Sequence, residues 1–197
     1  DGQPDVDLVL TTQEVISMIK EAGIRFAELP GEAPDMPFGL GTGAGVIFGT
    51  TGGVAEAVVR RVLESESKNT LQEIEYCGVR GMEGVKAAEL HVGDRTIRIG
   101  VVHGLGNAKK LIAKMEAGEE KFDLVEVMTC TTGCVGGAGQ PRGMTVDKYA
   151  RSEGLYAADR STLIKSSQHN PILKALYEKM SPAKAHELLH VHYTHNK

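Results

Sequence analysis

The chain has 197 residues, with 22 basic against 26 acidic side chains, a formal net charge of -4, 41% hydrophobic residues, 24 glycines and three cysteines. That length accommodates one good-sized domain or two small ones. The charge balance gives no electrostatic reason to expect binding to nucleic acid or an anionic membrane, which would need a clustered cationic face, and three cysteines are too few for a disulfide scaffold, which points to a reducing compartment.

No apolar run approaches the roughly 18 to 20 residues of a bilayer span, and the opening residues lack the basic start and apolar core of a signal peptide. The first residue is Asp1 rather than methionine, so the chain reads as a processed product or a piece of something longer. Residues 6–10 are apolar and predict a strand or extended segment. Thr11 followed by Glu14 is the capping-box pair that satisfies free amides at a helix start; Val15, Ile16 and Ile19 then share a face and Gly23 stops a helix over 12–22. A second short strand is predicted at 24–28, and residues 29–38, with three prolines among few apolar side chains, predict a loop.

Residues 39–53 hold seven glycines in fifteen, a backbone-entropy cost that predicts close approach of the main chain to something. A helix over about 52–65 follows. A glycine-rich turn opening a helix is a ready phosphate cradle. Here no GxGxxG register fits and no GK[ST] follows, so tight helix packing competes with a nucleotide site.

Residues 73–79 predict a strand that buries Cys77. Runs at 85–91 and 96–102 flank Gly93-Asp94 and predict a hairpin. Gly104 and Gly106 then lead into a helix at 108–115, and 122–127 predicts a buried strand. Strand, helix and strand in that order imply a right-handed parallel crossover, and the fold class is α/β: a mixed, largely parallel sheet flanked by helices. The last fifty residues carry helical patterns at about 160–165 and 171–180 before a histidine-rich tail.

Two motifs bear on chemistry. Cys130 and Cys134 stand four apart in a glycine-rich turn at the carboxyl end of a strand, where open α/β sheets place ligands. They are either metal or cluster ligands or two small hydrophobes near a tight turn. The three-cysteine pattern of radical enzymes fails, because Gly137 stands where the third would be, and zinc would need two further ligands. In the tail, His186-Glu-Leu-Leu-His190 matches the HExxH zinc-protease pattern, with His192 and His195 as candidates for a third ligand. The match lies too near the chain end for a substrate cleft, so a structural helix is the stronger reading.

Residues 128–141, MTCTTGCVGGAGQP, resemble the last signature of the FeFe (iron-only) hydrogenases, MACxGGCxxGGGQP. Residues 39–57, GLGTGAGVIFGTTGGVAEA, are similar to a family segment ending TGGVMEA. Residues 79–81, 101–104 and 185–193 also look like the family, so the resemblance covers essentially the whole chain. It implies one lobe of a two-lobed catalytic domain that holds an H-cluster, a four-iron cubane joined through a cysteine sulfur to a di-iron unit with carbonyl, cyanide and dithiolate ligands. Carried over by motif, Cys130 is implied as a cubane ligand and Cys134 as the cysteine that also bridges to the di-iron unit. The resemblance also implies that Met128 packs against the di-iron unit, that Phe48 and Gly49 line its pocket, and that Gly137 and Gln140 contact the cofactor.

Thr132 stands where the family usually has glycine, Ala138 replaces one glycine of GGG, and Ala55 replaces a methionine; none of these removes a ligand. The family's TSCCPxW and MPCxxKK signatures, which supply two more cubane cysteines, a lysine and the proton-relay cysteine, are absent and belong upstream. The resemblance therefore implies the carboxyl half of the catalytic domain at 1–150 and a helical small-subunit-like tail at 151–197. Its implied partners are the missing amino-terminal half, in the same parent chain or as a separate subunit, and a redox donor such as ferredoxin or a partner subunit. The implied activity is reversible interconversion of protons plus electrons with hydrogen, absent from this piece alone. The implied location is cytoplasmic, or periplasmic as in some members. A hydrogen-sensing regulatory protein is the alternative, and an HExxH peptidase a distant third.

Overall fold

The computed structural model describes residues 6–33, 35–36, 39, 41–63, 79–81, 83–92, 94–143 and 147–190. Cys77 and most of the strand predicted at 73–79 lie outside the described residues, as do His192 and His195.

Helix α1 (Thr12–Glu21) opens on the predicted capping box: Thr11 Oγ1 accepts from Glu14 N at 3.3 Å while Glu14 Oε2 accepts from Thr11 N at 2.7 Å. The strand predicted at 24–28 is not formed. A 3-10 turn, Phe26–Glu28, replaces it, because the backbone there bonds locally, Glu28 N to Arg25 O at 2.9 Å, rather than to another strand. The glycine-rich stretch folds into a one-turn helix α2 (Gly43–Val46), a 3-10 turn (Ile47–Gly49) and helix α3 (Gly53–Leu63).

The hairpin pairs β1 (Val85–Val92) with β2 (Arg95–His103) in antiparallel register from Val85↔Val102 to Val92↔Arg95. Helix α4 (Leu105–Glu116) begins three residues earlier than expected and carries the chain to β3 (Leu124–Met128), which runs parallel to β2. The expected mixed sheet is thus present, in the order β1-β2-β3, and one of its two pairings is parallel among the described strands. Alternation along β2 sets the layers. Ile99 and Val101 pack with Ala55, Val59 and Leu63 of α3 on one face, and Val102 packs with Ala108 and Leu111 of α4 on the other. The sheet is therefore covered on both sides.

Three further α-helices follow among the described residues: α5 (Lys148–Ser161), α6 (Pro171–Lys179) and α7 (Pro182–Leu189). The pattern at 171–180 becomes α6. That at 160–165 is corrected: the helix is α5, which ends at Ser161. Its buried face is Ser152, Tyr156 and Asp159, a helical spacing written in polar residues that apolar periodicity does not detect.

Those polar residues meet a charge network on α3. Arg60 is 1% exposed and grips Asp159 with both Nη atoms, at 2.8 and 2.7 Å, while Nη2 also reaches Glu56 at 2.6 Å. Arg80 closes the network on Glu56 through Nε and Nη2, each at 2.8 Å, and stacks over the Tyr156 ring. Helix α5 is thus joined to the sheet layer by paired charge as well as by the buried Tyr156 ring.

Candidate functional site

The glycine-rich wall owes its composition to contacts within the chain. A Cβ on Gly52, at φ +91°, would stand 2.0 Å from the Val79 carbonyl oxygen, and one on Gly53 would stand 1.9 Å from that of Ile47. The freed amides at the start of α3 are taken by Glu126 of β3, whose carboxylate accepts from Gly52 N and Ala55 N, both at 2.7 Å. A buried carboxylate occupies the place that an external phosphate would take. Tight packing, not a nucleotide cradle, accounts for the glycines at this turn. Glu126 escaped the sequence reading, although a lone acid inside an apolar strand is a signal for such a role.

The cysteine turn leaves β3 at its carboxyl end and lies on that wall. Thr51 N donates to Thr132 O at 3.3 Å. Gly133, at φ +86°, comes so close that a Cβ there would meet Thr51 N at 2.8 Å and Met128 Sδ at 3.0 Å. Gly133 N donates to Cys130 O at 3.1 Å, and a 3-10 turn, Cys134–Gly136, follows. Cys130 is half-buried and Cys134 exposed, both as free thiols.

Beside the turn opens a cavity of about 550 Å³. Cys130, Gly137 and Gln140 line it, together with Arg142, Lys148 and Arg151, and none of its lining residues is acidic. Arg151 reinforces the turn, donating from Nη1 to Val135 O at 3.0 Å and from Nη2 to Pro141 O at 3.1 Å. Gln140 lends its amide to Thr12 Oγ1 at 3.0 Å, and Gln13 Nε2 donates to Gln140 O at 3.1 Å, which ties the site to α1. No sequence signal marked Arg151, because its partners are backbone carbonyls brought near by the fold.

The remaining residues implied by the resemblance, Cys134 among them, do not line the cavity. Met128 folds its sulfur over Gly133, and Gly49 sits beneath Leu155 and Val135, where a Cβ would stand 2.6 Å from Leu155 Cδ1. Phe48 is 46% exposed on the adjacent turn. Two hydroxyls near the junction, Thr51 Oγ1 and Thr132 Oγ1, are buried without a hydrogen-bond partner among the described residues. The HExxH segment lies on α7, where the His186 and His190 rings stack with centroids 4.4 Å apart. Stacked faces pack against each other rather than converging two nitrogens on one ion. No described group of three His, Cys, Asp or Glu side chains is arranged to hold a metal.

Residues 1–138 match the family described as "Iron only hydrogenase large subunit, C-terminal domain", and residues 148–196 match "Iron hydrogenase small subunit". The chain belongs to the iron-only hydrogenase family. It is 46% identical to NADP-reducing hydrogenase subunit HndD of Solidesulfovibrio fructosivorans, over 98% of this chain and 34% of the relative. It is 37% identical to Iron hydrogenase 1 of Clostridium pasteurianum, over 98% of this chain and 35% of that protein. A solved variant of [FeFe]-hydrogenase HydA1 from Chlamydomonas reinhardtii superposes with a TM-score of 0.70 at 39% identity, covering 92% of this chain and 54% of that one. The chain therefore spans about a third of the length of these curated relatives and about half of the solved one. Within the family, the HELLH segment falls in the small-subunit match. Among the described residues no helix is long and apolar enough to cross a membrane.

Proposed function

We propose that this chain is the carboxyl half, at 1–150, of a hydrogenase catalytic domain with its small-subunit-like tail at 151–197, and that Cys130 and Cys134 supply two thiolates to an H-cluster. The observation that carries the reading is the cysteine turn itself, which sets Cys130 in the wall of a cavity rimmed by cations and free of acids, with the exposed thiol of Cys134 four residues on in the same turn. Such a donor set fits an anionic iron-sulfur group, since thiolates are the normal holders of such clusters. Two thiols make half of the usual four, which fits a chain spanning half of its solved relative. When bound, the group would supply the chemistry that interconverts hydrogen with protons and electrons.

The chain's own residues then hold and shield. Cys130 and Cys134 donate sulfur. The Thr51–Thr132 backbone bond and the two Arg151 contacts keep the turn rigid, so that its ligands are preorganised. Arg142 and Lys148 offset negative charge at the cavity, Met128 packs its sulfur over the turn at Gly133, and Phe48 and Gly49 would border the di-iron unit. The partners in this reading are the amino-terminal half, which brings the remaining ligands, and a redox donor such as ferredoxin. A cytoplasmic location is proposed with it, from the sparse cysteine content.

The test is anaerobic co-production with an amino-terminal half and the maturation machinery, followed by iron analysis and hydrogen evolution with a reduced mediator. The pair is expected to bind iron and evolve hydrogen, and Cys134→Ser to abolish assembly of the bridged cluster, because a hydroxyl is a poor ligand for soft iron. Near-normal evolution by that variant refutes the ligand role; iron bound without turnover favours the sensing role.

A further inference from the structure

Among the described residues Thr132 is the only non-glycine residue with positive φ, at +71°. For a β-branched side chain this is a strained conformation, and a glycine would adopt it without strain. The hydroxyl brings a second cost, since Oγ1 is buried and has no hydrogen-bond partner among the described residues. Two penalties on one side chain call for a compensating contact.

The location says what that contact is. Thr132 lies two residues from each cysteine, so its Cα is at most about 7 Å from either of theirs. Its carbonyl is held by Thr51 N, which fixes the residue against the wall. Its Oγ1 lies against Gly136, in the space that a Cβ there would fill at 2.3 Å, and Gly136 lines the cavity. A hydroxyl is thus held with an unused proton against Gly136 in the cavity wall, on the residue midway in sequence between the two cysteines. Thr51, 1% exposed on the other side of the same backbone bond, also carries an orphaned hydroxyl. Both orphans belong to residues joined at the junction of the cysteine turn and the glycine-rich wall.

We propose that Thr132 is a positioning residue for the bound cluster, holding its hydroxyl in a strained turn as a hydrogen-bond donor to a cluster sulfide. The inference rests on the function proposed above. A donor to sulfur stabilises the reduced, more negative state and raises the reduction potential.

The experiment uses the complete catalytic domain, this chain together with the amino-terminal half, loaded with the four-iron cubane alone and titrated potentiometrically with detection by electron paramagnetic resonance. Thr132→Val keeps the branched shape and removes the hydroxyl; Thr132→Ser keeps the hydroxyl. The potential of Thr132→Val is expected to move negative, with a roughly fivefold lower reduced-to-oxidised ratio at the wild-type midpoint, and that of Thr132→Ser to stay with the wild type. In the cluster-free protein Thr132→Gly should melt higher than the wild type, because the strain is relieved. Wild-type protein that binds no iron overturns the functional reading and this assignment with it. Iron bound in all variants with potentials unchanged, and differences confined to melting temperature, overturns the assignment alone.

Discussion

Glu126 and Asp159 are both buried carboxylates, and each is held by a different kind of partner. Glu126 faces two backbone amides at the start of α3, where the helix dipole adds to the hydrogen bonds. Replacing it with glutamine removes the charge and turns an amide donor toward a donor, which should cost about 1–3 kcal/mol in urea unfolding. Burial, the largest single influence on Asp159, pushes its pKa up, but the Arg60 hydrogen bond and the charges of Arg60, Lys165 and Arg80 together outweigh it, so its pKa lies below the usual carboxylate value. Arg60 shows the mirror case: burial lowers its pKa, and the bonds to Asp159 and Glu56 more than reverse that. Because the folded value of Asp159 is depressed, its stabilisation is fully present above the unfolded value near about 3.9 and is lost as the pH falls through the folded value. Asp159→Asn leaves Arg60 short of a counter-charge and should cost about 3–5 kcal/mol at pH 7. The gap between variant and wild type, followed as unfolding midpoints, should narrow on acidification below about pH 4.

The elements differ in what anchors them. Helix α1 has no buried residue. It is held at one end by its capping box and by the contacts of Thr12 and Gln13 with the turn at 138–140. Thr11→Ala should therefore speed amide exchange in the first turn of α1 and leave β1–β3 protected, a contrast that exchange mass spectrometry reads directly. Strand β1 carries the opposite kind of anchor. Lys86 is almost fully buried and donates to Val79 O at 2.7 Å and Gly81 O at 2.9 Å, its pKa lowered by burial. Lys86→Met would leave both carbonyls without that donor and should cost about 1–3 kcal/mol by chemical denaturation. Stability in this layer thus depends on polar groups meeting across elements.

At the scale of the molecule, burial is concentrated at the sheet and its two covering helices, and apolar surface is left open at both ends. Leu8 is 70% and Val9 82% exposed at the amino-terminal side, and α6 and α7 bury no residue while showing Tyr177, Leu188 and Leu189. Exposed apolar surface on this scale belongs to an interface. The chain alone should bind a hydrophobic dye and elute as concentration-dependent oligomers, and both signals should fall when the amino-terminal half is added. An isolated chain that stays monomeric and dye-free would show that these faces need no cover. For the same reason, and with two of four thiolates, the lone chain should evolve no hydrogen.

What the sequence determined by itself was local or carried in short contiguous strings. The capping box at Thr11 and Glu14, the hairpin around Gly93-Asp94 and α4 after Gly104 follow from side-chain chemistry within a few residues. The cysteine turn could be read for the same reason, because its signature is one unbroken segment. Tertiary structure decided whatever depends on partners distant in sequence. Glu126 caps α3 from 71 residues away, and the buried face of α5 is polar because Arg60 waits 99 residues earlier to pair with Asp159. The strand expected at 24–28 gave way to a 3-10 turn in which the backbone bonds locally. Strain at Thr132 is likewise invisible in composition, since φ is set by how the turn must close onto Thr51, and only the folded chain brings those two residues together.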